Sequence, residues 1–490
     1  SWGGGIAQWV ESFARADRGG TNFQLRAEGP QNGEGCGQRY SLYLGNRLDT
    51  PVARWWLQPP ILSTASSSEP YRELLRGVLE RHGVGRVIVS SLVGHSLDAL
   101  ATGLPTVQVL HDFYPAWPLL GIHPGPYLDS DLAPGPENHC SDVLARAMAE
   151  NRLLPELSDR DPSSWVALGR QWLEHVRHWG VKTTAPSRSV ADLLRQLDPG
   201  WSDVTIEIIP HGLPEIPGAR DVLPREREDG RLRLVIPGRI QPGKGKQLLL
   251  DALPELTKYA QVYLLGAGKD GEAFFGKTGV NVIMQYRRED LRDHLAAIGP
   301  HLAALLSVVP ETFSYTLSEM LQLNIPVIAT RVGSLEERVK DGEQGWLIEP
   351  DAAALLALVE RLSTGQDAID KVRQNLLELD LPGLVRMVER YSKLCLPRPA
   401  NRKIDLVAGA GSLLAAPLFY QNMQLSGRVR RLRSSRRALQ SEVEERTAWA
   451  EEREQARQAE KKRRVDWVSA LESQLDERFV ELQTARDALA

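Results

Sequence analysis

Two carboxylates eight positions apart, Glu311 and Glu319, are the residues of this chain whose type and spacing most directly suggest chemistry. A helix that opens near Thr316 would place Glu319 in or near its first turn and leave Glu311 in the loop before it. Free N–H groups and the helix dipole favour anions at such a turn. One short element could therefore hold a sugar, a ribose and a diphosphate. A capped helix with two surface acids explains the same spacing, so the pair needs support from other motifs.

A basic, glycine-rich segment, Gly238–Gly245, follows a predicted strand and precedes a predicted helix. Its two cations, Arg239 and Lys244, at the carboxyl end of a strand suit a diphosphate. The segment also matches Gly-x4-Gly-Lys, the phosphate loop of nucleoside triphosphatases. That interpretation fails because Gly245 stands where a Ser or Thr must bind magnesium, and Pro242 removes an N–H group from the cradle.

Two further strand ends carry candidate residues. Gly266 closes the predicted strand at 261–265, where a glycine would let a flat base approach the backbone. A tight strand-to-helix turn explains it equally well. His111 ends the predicted strand at 106–111, and ligands of open parallel sheets bind beyond such ends. His111 either faces a cleft between domains or packs beneath a loop.

The chain resembles the retaining glycosyltransferases of the GT-B fold, specifically glycosyltransferase family 4. The resemblance rests on these motifs, which occur in the same order as in that family from residue 1 to about 396. The family signature is Glu-x7-Glu, and its usual Glu-Gly-Phe-Gly is Glu311-Thr312-Phe313-Ser314 here, so two glycines are replaced. Further segments at matching positions are Ser187-Arg188, Ile209–Leu213 and Val332–Glu337.

The resemblance implies a metal-independent transferase with no cofactor beyond its nucleotide-diphosphate sugar donor. Its catalytic residues would be His111, Glu311, Arg239 and Lys244, with His111 on the donor sugar and Glu311 on sugar hydroxyls. Glu319 would bind the ribose. The full set of implied donor contacts is Gly4, Gly5, Arg239, Lys244, Gly266, Glu311, Leu317 and Glu319.

The same resemblance implies an acceptor and a location. The Trp-Gly-Gly-Gly at residues 2–5, the Glu-x7-Glu segment and an appended coiled coil look like the large transferases that assemble bacterial surface glycans such as O-antigen lipopolysaccharide or capsule. A cytoplasmic protein is expected, with peripheral contact at the inner face of the membrane. An arginine-rich stretch at 428–437 could meet anionic lipid or be a solvated helix face.

Length and composition limit the number of domains and the kinds of partner and metal site that the chain can have. The chain has 490 residues, enough for two or three domains, and 42% of them are hydrophobic. A net charge of −4 gives no reason to expect a nucleic-acid partner. The three cysteines lack metal-ligand spacing, and the Asp129-Ser130-Asp131 triplet, which imitates a metal motif, is interpreted as loop. We predict no metal site.

Short apolar runs alternate with helical patterns through most of the chain, which predicts an α/β fold with parallel sheets covered on both faces. We expect two Rossmann-like domains that face each other across a cleft, an acceptor-side domain at 1–212 and a nucleotide-sugar domain at 213–396. A linker at 397–424 and a coiled coil at 425–490 would follow. The glycine turn at residues 3–5 normally follows a strand, so the first strand is expected upstream.

Leucines and valines recur every seven residues in the C-terminal part, and such heptads predict a coiled coil that forms a homo-oligomer or binds a partner helix. They are Leu425, Leu432, Leu439, Val468, Leu475, Leu482 and Leu489. An alternative function follows from them: a scaffold or chain-length-setting module with an inactive transferase fold. A second stripe, Trp165, Trp172 and Trp179, is more typical of core packing than of stacking on sugar rings.

Overall fold

The computed structural model describes residues 5–28, 37–120, 122–128, 139–151, 157, 159–227 and 229–398, together with short helical stretches between 462 and 484. The chain divides into two units, Ser1–Ala408 and Gly409–Ala490. The first unit contains two α/β lobes, as the alternating pattern predicts.

The first lobe begins with a helix and contains seven strands. Its elements are α1 (Gly5–Ala16), β1 (Phe23–Glu28), β2 (Gly37–Leu44), β3 (Ala53–Ile61), α2 (Glu69–Arg81), β4 (Val87–Val89), β5 (Thr106–Val109), α3 (Gly125–Leu128), α4 (His139–Glu150), α5 (Pro162–His178), β6 (Lys182–Ala185), α6 (Arg188–Leu197) and β7 (Ile206–Ile208). Strands β4–β7 form a parallel sheet in sequence order.

The second lobe has one six-stranded parallel sheet, in the order β10-β9-β8-β11-β12-β13. Its elements are β8 (Leu232–Pro237), α7 (Lys246–Tyr259), β9 (Ala260–Leu265), β10 (Val280–Ile283), α8 (Leu291–Ile298), β11 (Leu302–Leu305), α9 (Tyr315–Gln322), β12 (Val327–Thr330), α10 (Ser334–Arg338), β13 (Gly345–Ile348), α11 (Ala352–Thr364) and α12 (Gln366–Leu377). The predicted strands before Gly238 and at 261–265 are present as β8 and β9.

The parallel-sheet prediction for the first lobe is wrong in one region. Strands β1, β2 and β3 form a separate antiparallel sheet. Only eight residues separate β2 from β3, and so short a connection joins antiparallel strands, whereas a parallel pair needs a crossover. The paired tryptophans Trp55 and Trp56 lie on β3, and the Arg39 guanidinium lies 5.5 Å from the Trp56 ring.

A last helix, α13 (Leu384–Leu394), returns to the first lobe. Its buried residues Met387, Val388 and Tyr391 pack with Trp9 and Phe13 of α1. The Tyr391 hydroxyl lies 3.1 Å from Oγ1 of Thr184 on β6, and the two groups share a hydrogen bond in the core. Helix α13 thus anchors the carboxyl end of the second lobe to the first.

The segment after Gly212 contacts the second lobe at Val222, whereas its neighbour Leu223 is 65% exposed. Val222 is 1% exposed and lies in the same apolar cluster as Leu291 and Leu295. The predicted linker at 397–424 and the heptad positions Leu425, Leu432, Leu439, Val468 and Leu489 lie outside the described residues, except for Pro397 and Arg398. The described Leu475 and Leu482 are helical and strongly exposed. Within the described part of the chain, no helix is long and apolar enough to span a bilayer.

The seven-spaced tryptophans differ in burial, which gives a direct test of their role. Trp172 is fully buried, and its ring centroid lies 4.4 Å from that of Trp201, whereas Trp179 is 41% exposed. We expect Trp172→Ala to lower the free energy of unfolding by about 3–5 kcal/mol, because it removes a large buried side chain. Trp179→Ala is the matched control and should change it by less than about 0.5 kcal/mol. Urea unfolding of both variants measures this, and equal effects would contradict the assignment of Trp172 to the core.

Candidate active site

The basic segment lies at the carboxyl end of β8, the central strand of the second lobe. Gly238 has φ +92°, and its N–H donates to the Leu265 carbonyl at 2.8 Å. Gly245 has φ +80°, and a Cβ there would lie 2.1 Å from the Leu306 carbonyl oxygen. Only glycine fits at Gly245, so the loop is held tightly against the end of β11.

Lys244 and Glu311 form an ion pair at this edge of the sheet. The Lys244 Nζ lies 2.7 Å from the Glu311 Oε1, and the Ser307 hydroxyl donates to the same oxygen. The Glu311 backbone is fixed as well, because the Ser334 N–H donates to its carbonyl at 3.0 Å. Two residues from separate predicted motifs are therefore in direct contact.

The electrostatics keep Glu311 ionised. Its side chain is only 15% exposed, and burial by itself would raise the pKa of this carboxyl. The positive charge of Lys244 and hydrogen bonds from Lys244, Ser307 and Ser314 outweigh burial, so the pKa of Glu311 lies below its ordinary value. A carboxylate that stays charged can accept hydrogen bonds from sugar hydroxyls.

Arg239 is the second cation of the loop and is exposed. Its stem runs over Gly268, where a Cβ would lie 3.4 Å from the Arg239 Cγ. Among the described residues, no ion pair to Arg239 is found within 4.0 Å. The guanidinium is thus available for an anion beside Lys244.

Helix α9 starts one residue before the predicted Thr316, and Glu319 is its fifth residue. Glu319 is buried, and its Oε1 accepts from the Nε and Nη2 of Arg288 at 2.9 and 2.7 Å. Burial raises the pKa of Glu319, although the charge and hydrogen bond of Arg288 oppose this effect. Leu317, an implied donor contact, has its N–H engaged at 3.3 Å by the Ser314 hydroxyl, which caps the helix.

Ser314 adopts a backbone conformation that normally requires glycine, although the glycines of the family pattern are replaced in this segment. Its φ is +62°, a left-handed conformation that costs a non-glycine residue about 1–2 kcal/mol. The strained backbone is held in place by Arg338, which donates to the carbonyls of Phe313 and Ser314 and stacks 3.9 Å from the Phe313 ring centroid. The glycine-like conformation is therefore kept at Ser314, with the half-buried Arg338 as its support.

Sequence reasoning missed Tyr286, Arg288 and Arg338. Tyr286 and Arg288 follow β10, and their position beyond the carboxyl end of a parallel strand was the one signal that could have found them. Tyr286 packs on Gly266, where a Cβ would lie 2.6 Å from its ring, so the space above that glycine holds a protein ring. Burial, followed by the charge of Glu319, raises the pKa of Tyr286 to about 12.

His111 belongs to a cluster of rings between the lobes. Its Nδ1 lies 3.3 Å from the Nε2 of His211, and its ring centroid lies 5.1 Å from that of Trp9. The His211 ring stacks on Tyr315 at 5.7 Å, which brings the first-lobe histidine next to the start of α9. The Nε2 of His111 is buried without a hydrogen-bond partner among the described residues.

The two lobes also meet through polar contacts. The Ser187 hydroxyl donates to the Thr312 carbonyl at 2.8 Å. Glu337 of α10 caps α6, since its carboxylate accepts from the N–H groups of Arg188 at 3.0 Å and Ser189 at 3.2 Å. An acid at a helix N-terminus is stabilising, so this cap ties the lobes together.

The remaining predicted residues have mixed outcomes. Gly5 begins α1, and a Cβ there would lie 3.5 Å from the Tyr315 ring, so it borders the same cluster. Gly4 and the Asp129-Ser130-Asp131 triplet lie outside the described residues. Asp112, beside His111, is a half-buried residue that was not predicted, and desolvation of its carboxyl raises its pKa to about 6. No group of three potential metal ligands occurs among the described residues.

Comparison with known proteins finds sequence similarity in the lobe that carries most of these residues. Residues 231–364 match the family described as glycosyl transferases group 1. Among curated proteins, the D-inositol 3-phosphate glycosyltransferase of Corynebacterium efficiens is 31% identical over 159 residues. That alignment covers 28% of this chain and 37% of the relative, so the chain matches little more than a third of the relative's length.

Two solved structures are similar to a larger part of the chain. The Anabaena protein HepE in complex with UDP and glucose has a TM-score of 0.44 at 15% identity, covering 66% of this chain and 80% of its own. Sucrose-phosphate synthase from Thermosynechococcus elongatus has a TM-score of 0.45 at 16% identity, covering 66% and 76%.

The buried imidazole of His111 is expected to make the free energy of unfolding depend on pH. Burial lowers the pKa of His111 to about 3, whereas its ordinary value is about 6.5. Between these pH values the unfolded chain binds a proton that the folded chain does not, so the free energy of unfolding falls as the pH falls. The contribution of His111 to the free energy of unfolding is fully present above about pH 6.5. Below about pH 6.5 this contribution decreases by up to about 1.4 kcal/mol per pH unit.

We therefore expect His111→Gln to flatten the dependence of unfolding free energy on pH between about pH 6 and 4. Urea unfolding at a series of pH values measures the slope. Data at pH 8, where the imidazole is neutral in both states, separate this effect from a general loss of packing. Identical slopes for the parent and the variant would mean that His111 is not buried in its neutral form.

Proposed function

We propose that this chain is a retaining glycosyltransferase that uses a nucleotide-diphosphate sugar and requires no metal ion. The observation that carries the proposal is the Lys244–Glu311 ion pair beside the exposed Arg239, at the carboxyl edge of a sheet whose sequence matches group 1 glycosyl transferases. A cation pair next to an ionised acid suits a diphosphate joined to a hydroxyl-rich sugar.

In the proposed mechanism Arg239 and Lys244 bind the donor diphosphate, and Glu311 accepts hydrogen bonds from the sugar. The bond between the anomeric carbon and the diphosphate oxygen breaks, and its electron pair leaves with the diphosphate. The two cations stabilise that charge. The acceptor oxygen then attacks the same face of the sugar, and its proton passes to a phosphate oxygen, so no covalent enzyme intermediate is required.

Glu319 is proposed to bind the ribose. Its carboxylate is already paired with Arg288, whose side chain is 41% exposed and whose guanidinium contacts Oε1 of Glu319. A ribose can therefore bind the carboxylate only by sharing it with the guanidinium or by displacing it. Arg288 would then be free to turn toward the diphosphate, which lies on the same edge of the sheet.

His111 is proposed to contact the donor sugar from the first lobe. It is buried with an unpartnered Nε2, and such an atom normally finds a hydrogen-bond partner, here a sugar hydroxyl. The acceptor is proposed to be a growing bacterial surface glycan, which rests on resemblance alone: the Glu311–Glu319 segment together with the Trp-Gly-Gly-Gly at residues 2–5 and the predicted coiled coil. Because the curated relatives are named for D-inositol 3-phosphate, that compound is the second acceptor to assay.

Replacement of Lys244 tests the proposed chemistry. The donor is first identified by thermal shift with GDP, UDP, ADP, TDP and their sugars, since a ligand of the native state raises the melting temperature. We then expect Lys244→Ala to reduce sugar transfer about 100- to 1,000-fold, because it removes one cation from the leaving diphosphate.

Lys246→Ala is the matched control for this experiment. Lys246 begins α7 two residues later and pairs with Asp270 at 2.7 Å, away from Glu311. Its replacement should leave the transfer rate within about threefold of the parent, which corresponds to less than 1 kcal/mol. Lys244→Ala at the parent rate, with both variants folded, would refute the site. Stabilisation by none of the nucleotides would favour the scaffold function.

The heptads are proposed to form a coiled coil that makes the protein a homo-oligomer and, with the arginines at 428–437, brings it to the cytoplasmic face of the membrane. We expect the chain ending at residue 424 to be a monomer and the full chain to have a multiple of the monomer mass, measured by light scattering. Only the full chain should sediment with vesicles that contain anionic lipid. Equal masses would exclude the coiled coil, and equal sedimentation would exclude the arginines as the contact.

A further inference from the structure

Two buried histidines of the first lobe are in contact where that lobe meets the second. His111 follows β5 and His211 follows β7, so both lie beyond the carboxyl ends of strands in one parallel sheet. The two residues are 8% and 3% exposed, and the Nδ1 of His111 lies 3.3 Å from the Nε2 of His211. Sequence analysis placed His211 only in a segment that matches the family, without a chemical role.

Both imidazoles are neutral at neutral pH. Burial lowers the pKa of His111 to about 3. Burial, followed by the charges of His111 and Arg338, lowers the pKa of His211 well below its ordinary value. A neutral imidazole carries a single N–H, on one of its two nitrogens. A hydrogen bond between the facing nitrogens therefore forms when one of them carries its hydrogen and the other is bare.

The shared hydrogen bond links the roles of the two outer nitrogens, Nε2 of His111 and Nδ1 of His211. If Nδ1–H of His111 donates, His111 is bare at Nε2 and His211 carries its hydrogen at Nδ1. If Nε2–H of His211 donates, His111 carries its hydrogen at Nε2 and His211 is bare at Nδ1. In either arrangement one outer nitrogen is a donor and the other is an acceptor.

Both outer nitrogens are buried and have no hydrogen-bond partner in the described part of the chain. One of them is therefore a buried N–H without an acceptor, and such groups are rare in folded proteins. A sugar oxygen at Nε2 of His111 removes this cost only when that nitrogen carries the hydrogen. With the hydrogen at Nδ1 of His211, an N–H stays unpaired even when the sugar is bound.

The His211 ring is held in place by its neighbours. Its centroid lies close to three aromatic rings: Phe313 at 4.8 Å, Tyr315 at 5.7 Å and Trp9 at 6.0 Å. The backbone after it is tightly packed as well, because a Cβ at Gly212 would lie 2.6 Å from the Gly383 carbonyl oxygen. A ring packed on several sides has little freedom to turn, so its Nε2 stays directed at His111.

We propose that His211 is a positioning residue that makes His111 a hydrogen-bond donor to the sugar of the nucleotide sugar. The Nε2–H of His211 donates to Nδ1 of His111, which keeps the hydrogen of His111 at Nε2. That N–H then donates to an oxygen of the sugar. The inference rests on the proposed function, since the sugar is its ligand.

This arrangement restricts which sugars fit at the contact. An N–H needs an acceptor, so a hydroxyl, carbonyl or carboxylate oxygen is suitable and a protonated amino group is not. A sugar that lacks an oxygen at this position would leave the N–H of His111 buried and unpaired. Sites built around a hydrogen bond reject such analogues strongly.

The first measurement is made on the free protein and does not depend on sugar transfer. Imidazole nitrogen NMR spectra of the full chain with isotope-labelled histidine are recorded at pH 8, where both rings are neutral. The signals of the pair are assigned by their loss in His111→Gln and His211→Gln variants. We expect both rings to carry their hydrogen at Nε2. A hydrogen at Nδ1 of His111 would overturn the proposal.

Variants of His211 test whether it acts through His111. His211→Leu removes the donating N–H, and we expect kcat/KM for sugar transfer to fall about tenfold, the effect of one lost hydrogen bond. His211→Gln keeps an N–H at similar reach and should stay within about threefold of the parent. In a His111→Leu background, His211→Leu should lower kcat/KM by less than about a further twofold, because the two residues act as a unit.

Binding of the nucleoside diphosphate alone is the control, and its Kd should stay within about twofold of the parent value in every variant. Equal losses in His211→Leu and His211→Gln, or a full tenfold loss in the His111→Leu background, would mean that His211 only packs the lobes together. A parent chain that binds no nucleotide would overturn the proposed function and the sugar contact with it, whereas the spectra would still decide the hydrogen bond between the rings. The spectra of the parent remain decisive if a leucine variant does not fold.

Discussion

The path of the backbone from Pro310 to Tyr315 connects nearly every part of the candidate active site. At its start, Glu311 is held against Lys244 and Ser307 of its own lobe. In its middle, Thr312 accepts a hydrogen bond from Ser187 of the other lobe. At its end, Tyr315 stacks on His211, which in turn contacts His111. A change in this path would separate the acid from its cation and the two lobes from each other.

That path depends on a conformation that is unfavourable for its sequence. Ser314 adopts a left-handed backbone, and the cost is offset by the half-buried Arg338, whose guanidinium donates to two successive carbonyls. Burial lowers the pKa of Arg338 to about 10, but its charge is retained at neutral pH and is stabilised by Glu311 and Glu337. Strained residues that neighbouring groups hold in place are common at functional sites, and here the strain fixes where α9 begins.

Both lobes contribute to the candidate site. In the second lobe the central strand β8 leads into the glycine turn that carries Arg239 and Lys244. In the first lobe, α1 begins at Gly5, where a Cβ would lie 3.5 Å from the Tyr315 ring. The ring cluster at His111, Trp9 and Tyr315 is built on α1, so the geometry of the site is linked to how firmly α1 is held.

The sequence by itself determined the features that are local. Apolar runs predicted the strand at 106–111, the one before Gly238 and the one at 261–265, which are β5, β8 and β9, because buried parallel strands are typically near-continuous apolar runs. The same order of strands placed Arg239, Lys244 and Glu311 at carboxyl ends, where one sheet edge must bring them close. The antiparallel sheet was not predicted, because β1, β2 and β3 do not alternate regularly between buried and exposed residues.

Only the tertiary structure decided which of these groups touch. The pairing of Arg288 with Glu319, the support of Ser314 by Arg338 and the cap of Glu337 on α6 join residues that lie 24 to 149 positions apart. Side-chain contacts at such distances depend on the order of strands across a sheet and on the packing of one lobe against the other. The spacing of residues along the chain specifies neither the strand order nor the packing of the lobes. The sequence could therefore place these charges at the edge of the site but could not assign their partners.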